Sequence, residues 1–420
     1  MAWVANVGDG DGDGDAHAHH MAWWLAYALL LALAPLLWTG DLGLSLLSQI
    51  GVVIIACLSY NMLLGQGGMI SFGHAVYSGM GAFFAIHTLN GVSNGWALPV
   101  SLIPLAGGLG SAVLALLLGW ISTQKAGMPF AMITFGLGEL VGAFAVMFPS
   151  FFGGEAGISG NRVAGNSVWG ITFGSPIELY YLVACYTFIC TALMYAFTQT
   201  PLGRILEAVR DNPERVEFLG YNPRVVRYFT FVMAAFFAGI SGGLAALDFE
   251  RVTTDVLSAH RSGVYLLFTF LGGSTFFFGP MVGAVLMVLV FALLSEWTQA
   301  WLLYLGLIFV LMVRYAPGGL ASLIMMNGHQ NRLAKMRSLG MSYLAMTVTA
   351  LVALTGSAAM IEMMYHIHIS AGPDCYFLNI SLNVHRADSW LGAILMVCTG
   401  CGLLALTRHH HLQVTHQEVW

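Results

Sequence analysis

Few residues in this chain are placed to do chemistry. It has two lysines, Lys125 and Lys335, and neither stands in the GxxxxGKS/T spacing that cradles a nucleotide's phosphates. The fourteen histidines are scattered or gathered toward the termini. His366 and His368 are two apart, so a helix would set them on different faces. No HExxH motif occurs. Of six cysteines, Cys57, Cys185, Cys190, Cys398 and Cys401 fall inside apolar segments, and Cys375 stands alone in a loop. Cys398 and Cys401 have the spacing of a redox or metal pair, but they sit mid-span, one helical turn apart. The run His409–His411 reads as a solvated tail. No catalytic residue, metal, cofactor or nucleic-acid site is expected, which argues against a metal-dependent membrane enzyme.

Polar residues inside apolar stretches are better candidates. Asn61, Gln66, Ser71, His74, Thr134 and Glu139 all lie in or beside such segments. An ionisable group within a membrane span is a functional candidate by default. Glu139 stands out because Gly138, Leu140 and Val141 surround it. The competing reading is that each merely bonds a neighbouring helix.

The elements that must position these residues follow from composition. Of 420 residues, 58% are hydrophobic and 8% charged, far too few charges for a soluble domain. Glycine is abundant, at 50 residues, as where helices pack closely in lipid. About twelve apolar spans can be marked: 22–38, 44–63, 68–89, 96–119, 128–150, 177–198, 228–248, 263–279, 280–298, 301–316, 343–363 and 389–407. The expectation is an all-α polytopic membrane protein with about 10–12 transmembrane helices, some broken or re-entrant. The glycine-rich stretches 65–81 and 271–283 are where breaks are expected. Residues 1–20 read as a disordered polar tail, without the positive start of a signal peptide. Arginine and lysine concentrate in alternate loops, which places both termini inside. The motif at Gly67, Gly68, Phe72 and Gly73 is echoed at Gly272, Gly273, Phe278 and Gly279, one residue out of register.

Residues 199–227, QTPLGRILEAVRDNPERVEFLGYNPRVVR, form a charged loop on the inner side. Its punctuation predicts two helices. Thr200 caps the first, with Pro201 at its first position. That helix ends near Asp211, because the residue before a proline disfavours helix. Asn212 caps a shorter helix starting at Pro213, and Gly220 suits the left-handed residue that ends it. The short helix carries Val216, Phe218 and Leu219 among charges, an apolar tip suited to docking in a partner's groove. Alternatively the tip packs onto the chain's own membrane helices.

The loop resembles the cytoplasmic coupling loop of branched-chain amino-acid ABC permeases of the LivH/LivM type. The residues that carry the resemblance are Gly203, Arg204, Ala208, Arg210, Asp211 and Asn212, then Glu217, Phe218, Leu219 and Gly220. Three further blocks resemble the same family in order. The first is Asn61, Gly65, Gln66, Gly67 and Gly68, then Ser71 to Ala75, Gly79 and Gly81. The second is Phe130 to Thr134 with Gly153, Gly154, Gly157 and Ile158. The third is Leu271 to Gly273, Phe278 to Pro280, Gly283 and Ala284, then Tyr315 and Pro317 to Leu320. Residues 21–328 are therefore the expected permease domain. Residues 329–420 form a C-terminal extension with two additional predicted spans that the family pattern does not include.

What the resemblance implies is alternating-access import driven by ATP, in the bacterial inner membrane. The expected partners are two ABC ATPase subunits, a second homologous permease, a periplasmic solute-binding protein and membrane lipid. The binding protein would dock on the outer loops around 151–176 and 249–262. The solute would be a branched-chain or other hydrophobic amino acid, or a related small solute. A zwitterion needs donors for its carboxylate and acceptors for its amine, and the six polar candidates above could contribute to both. The rival reading is an ATP-independent secondary transporter or channel.

Overall fold

The computed structural model describes residues 13–38, 40–164, 173–295, 301–315, 318–325, 355–361, 363–364, 367, 374–377, 380–383 and 386–417. Calls that fell on residues 1–12, 165–172, 326–354, His366, His368 and Pro317 lie outside them. The chain forms two compact units, Met1–Val290 with Met312–Ser322, and Phe291–Leu311 with Leu323–Trp420.

The first unit is a helical bundle. In chain order its helices are α1 (Asp13–Leu37), α2 (Asp41–Asn61), α3 (His74–Ser93), α4 (Ile103–Ser122), α5 (Met128–Met147) and the short α6 (Pro149–Phe152). Then come α7 (Pro176–Gln199), α8 (Pro201–Asp211), α9 (Pro213–Phe218), α10 (Pro223–Phe249), α11 (Ala259–Gly272) and α12 (Gly279–Leu289). Helix α1 starts at Asp13, inside the expected polar tail.

Among the described residues, five helical segments are long and apolar enough to cross a bilayer: Asp41–Gln66, Val100–Ser122, Met128–Met147, Pro176–Gln199 and Pro223–Phe249. The other expected spans of this unit depart from a straight membrane helix for physical reasons. Helix α3 begins at His74 rather than near residue 68 and is mostly buried by its neighbours, so it needs no lipid-facing surface. The expected span 263–279 is the short helix α11, and a glycine-bearing turn at residues 273–278 separates it from α12, which runs on into a π-helical turn at Val290–Leu294.

Helices α3, α4 and α10 meet at the centre with their backbones in contact. A β-carbon built on Gly81 would lie 2.4 Å from the Gly239 carbonyl oxygen. One on Gly107 would lie 2.6 Å from the Gly81 oxygen, and one on Gly242 only 1.7 Å from that of Ser78. Lipid gives helices no hydrophobic reason to associate, so close van der Waals contact must supply the cohesion. Buried hydroxyls add interhelical bonds. Ser111 donates to the Tyr77 carbonyl (2.6 Å), and Ser241 to that of Val52 (2.9 Å). Around this crossing lie Phe83, Phe237, Ile240 and Leu244, all buried.

At one end of the bundle, far apart in sequence, Ile158–Ser159 (β1) pairs antiparallel with Arg251–Val252 (β2). In the second unit, Asp374–Phe377 (β3) pairs antiparallel with Ile380–Asn383 (β4). Cys375 therefore sits in a strand and not in the loop expected for it. Helix Ala387–Gln417 contains the expected span 389–407. Ala359, Met363 and Ala393 form a small core there, with Met360 and Trp390 packed on it.

Gly242→Val should drive α3 and α10 apart. We expect a destabilisation of about 2 kcal/mol or more, read as a fall in apparent Tm of the detergent-purified chain. Gly136→Ala is the control. Nothing lies within 4 Å of the added methyl, and the variant should melt like the parent.

Candidate functional site

Three polar residues that precede prolines organise the loop between α7 and α10. The proline ring disfavours helix in the residue before it. That residue stays extended, which is the geometry of an N-cap, and proline itself loses nothing at the first helical position. The Thr200 hydroxyl accepts from the Gly203 N–H (3.2 Å), starting α8. The Asn212 side chain accepts from the Arg215 N–H (3.0 Å), starting α9. Asn222 accepts from the Arg224 N–H (3.0 Å), starting α10. The boundaries of α8 and α9 lie where the sequence placed them, whereas α10 begins at Pro223, ahead of the expected span 228–248.

Helix α9 closes as expected on Gly220, at φ +88°. The Tyr221 N–H reaches the Val216 carbonyl (3.2 Å) and the Gly220 N–H that of Glu217 (2.9 Å). This paired closure satisfies carbonyls that a helix end would otherwise leave open. The apolar residues then divide. Val216 is buried and anchors α9, whereas Phe218 is 91% and Leu219 70% exposed. Sequence reasoning had grouped all three as the presented tip. The two exposed ones do not pack on the chain's own membrane helices.

Helix α8 is amphipathic. Gly203, Leu206 and Val209 are buried, while Arg204, Glu207, Ala208 and Asp211 are exposed. Gly203 sits where a β-carbon would meet the Phe197 carbonyl at 2.4 Å. Arg210 is exposed as well, but its side chain reaches across to the break after α2. Its guanidinium donates to the Gly65 carbonyl, and its Nε to Asp211 Oδ1 (3.0 Å). Glu217 is exposed beside Phe218.

Gly65 belongs to a break in the bundle. After Asn61, α2 widens into a π-helical turn, Met62–Gln66, before the chain turns to α3. The backbone groups around this turn find side-chain partners from three helices, as they must away from water. Tyr60 donates to the Ser71 carbonyl (2.9 Å) and accepts from its N–H (3.2 Å). Thr134 on α5 accepts from the Phe72 N–H (3.3 Å) and donates to the Ala131 carbonyl (2.9 Å). Ser262 on α11 accepts from the Ala75 N–H (3.0 Å). Tyr60 and Ser262 were not among the sequence candidates. A lone tyrosine or serine in an apolar run carries no local mark of a long-range bond.

The polar candidates separate by environment. Asn61, Gln66, Ser71, His74 and Thr134 are buried, and Glu139 is exposed. Ser59 donates to the Ala56 carbonyl, so it must accept from Nε2–H of His74 (3.0 Å). Nδ1 of His74, Oδ1 of Asn61, Oε1 of Gln66 and Oγ of Ser71 have no hydrogen-bond partner. Buried polar atoms are rarely left so, and four of them attend one break. Helix α5 buries only a narrow stripe, Phe130, Ala131, Thr134, Gly138 and Ala145. Its open side carries Glu139 between the exposed Phe135 and Leu140.

The two strands tie together the loops expected on the outer side. Arg162 donates from Nη1 to the Leu247 (3.1 Å) and Asp248 (3.3 Å) carbonyls, and its N–H to Glu250 Oε1 (2.9 Å). Arg251 reaches the Ala156 carbonyl (2.7 Å), and Asn90 that of Ser159 (3.2 Å). Helix α10, about 40 Å long at 1.5 Å per residue, separates this assembly from α9.

Residues 43–316 match the family described as "Branched-chain amino acid transport system / permease component". The chain belongs to that family. It is similar to the high-affinity branched-chain amino acid transport system permease protein LivM of Escherichia coli, at 27% identity over 64% of this chain and 67% of that protein. The LivM of Salmonella typhimurium is 28% identical over the same shares. No solved structure matches. The permease family thus takes in the π-turn, both glycine-rich breaks and the capped loop. The C-terminal extension, residues 329–420, falls wholly outside the match.

Asn212→Ala removes the α9 cap. This should cost about 0.5–2 kcal/mol of local stability. Hydrogen exchange at residues 213–219 should speed up accordingly, with α10 unchanged.

Proposed function

We propose that this chain is a transmembrane subunit of an ABC importer, multi-pass in the bacterial inner membrane. Separate ATPase subunits drive it, and it moves a branched-chain or other hydrophobic amino acid. The observation that carries the reading is the tip of α9. A helix of six residues is capped at both ends and anchored by buried Val216, yet it holds Phe218 and Leu219 in the open. Exposed apolar groups on a rigid charged mount suit insertion into a groove. Glu214, Arg215 and Glu217 flank the tip and can fix its orientation there.

Two ATPases would each grip one permease, which calls for a second permease beside this one. The open side of α5 supports that pairing. A carboxylate such as Glu139 is costly against lipid, so this side suits a partner helix or a watery passage between the two permeases. The unpartnered atoms of Asn61, Gln66, Ser71 and His74 give the passage polar groups at the break. Both bonding positions of the Thr134 hydroxyl serve the backbone, which favours a structural role for it. A solute-binding protein would dock where β1, β2 and the Arg162 contacts join the outer loops. The rival reading, a carrier that needs no ATPase, leaves the exposed tip without a purpose.

Leu219→Arg places a charge in the docking tip without touching the bundle. The variant should insert and purify normally, lose its co-purifying ATPase and show uptake at least about tenfold lower. Uptake and ATPase recovery equal to the parent would remove α9 as the coupling element.

A further inference from the structure

The coupling reading leaves open how movement of the tip reaches the membrane. We infer that Arg210 is a strut joining the coupling loop to the first glycine-rich break, and through Gly65 to the second, and so a positioning residue for transport. This rests on the ABC reading above.

Three contacts converge on residues 65–68. The Arg210 guanidinium donates to the Gly65 carbonyl. That oxygen lies at the end of the π-turn, where helix carbonyls lack a partner further along the chain. A cation there also meets the negative end of the helix dipole. The side chain of Arg210 lies across Gly68, with Cγ 2.7 Å from where a β-carbon would stand. Gly68 has φ +62°, the left-handed region that favours glycine. One turn earlier on α8, Leu206 Cδ1 lies 3.4 Å from the corresponding point on Gly67.

Gly65 also faces the second break. A β-carbon on Gly65 would lie 2.2 Å from the Ser274 carbonyl oxygen, in the turn between α11 and α12. The two glycine-rich breaks therefore meet as neighbouring backbones at Gly65 and Ser274, and Arg210 holds the first of them. Displacement of α8 moves Gly65, and Gly65 cannot move without disturbing Ser274. The unpartnered atoms of Asn61 and Gln66 flank the same turn, so the strut ends where the candidate pathway begins.

The test replaces the strut with a covalent tie. A β-carbon on Gly68 would lie 3.7 Å from Cβ of Arg210, inside the range a disulfide spans. The assembled transporter is reconstituted, and radiolabelled leucine uptake and ATP hydrolysis are measured together. Arg210→Cys should retain its ATPase and its hydrolysis, but carry about tenfold less leucine per ATP, the size of an ordinary coupling free energy. The double variant Gly68→Cys with Arg210→Cys should be equally uncoupled when reduced. Oxidation should restore its leucine per ATP, and reduction should abolish it again. Recovery of function on cross-linking cannot come from misfolding.

The strut is refuted if Arg210→Cys couples like the parent, if the bridge does not form, or if the bridged protein couples no better than the reduced one. The parent protein separates this from the wider reading. Without ATP-driven uptake of leucine or any other branched-chain or hydrophobic amino acid in the parent, the importer assignment fails and the strut with it. With it, only the strut is at issue.

Discussion

At the centre of the bundle, backbone touches backbone. Gly81, Gly107, Gly239 and Gly242 let α3, α4 and α10 approach until carbonyl oxygens occupy the space of missing β-carbons. In a bilayer this closeness is a main source of cohesion, because apolar side chains gain little by leaving lipid for protein. Everything else hangs from it. Helix α10 runs unbroken from the capped loop after α7 to β2, so both ends of the bundle are fixed to one rod. Helix α3 is enclosed by its neighbours and can begin late, at His74, with its first N–H groups tied to other helices.

A second constraint is the need to satisfy backbone groups wherever a helix stops short of water. At the break after α2, side chains from α2, α5 and α11 meet this need. The same solution makes the region conditional. Its bonds come from three separate helices, so a shift of any one changes which groups are satisfied. The crossing of α3, α4 and α10 offers no such alternative. The molecule thus joins a dense frame to a region held by a handful of long-range polar contacts, and α8 leans on the second.

The coupling loop was legible in the sequence because its determinants are local. Thr200 and Asn212 each precede a proline, whose ring restricts the residue just before it. Gly220 ended α9 for an equally local reason. The fate of Val216 was not legible. A six-residue helix is too short to show a period, so nothing marked one apolar residue as anchor and two as tip. Glu139 was legible as unusual, but its outward direction depends on which stripe of α5 meets α3. The pairing of Ile158 with Val252 and the reach of Arg210 to Gly65 join distant parts of the chain, and no spacing announces them. The apolar runs gave the helices of the bundle, although they hid that α11 stops at Gly272, short of a full span.

The exposed tip of α9 has a cost outside transport. On the proposed function Phe218 and Leu219 would stand in the cytoplasm, on the kind of surface that chaperones and proteases inspect. Until a partner's groove covered them, a freshly made chain would look unfinished to the cell's quality control. Copies made in excess of their partners would then be removed, and the amount of finished transporter would follow the scarcest subunit. The residues that suit the tip to receive a push would also serve as a count of assembled parts.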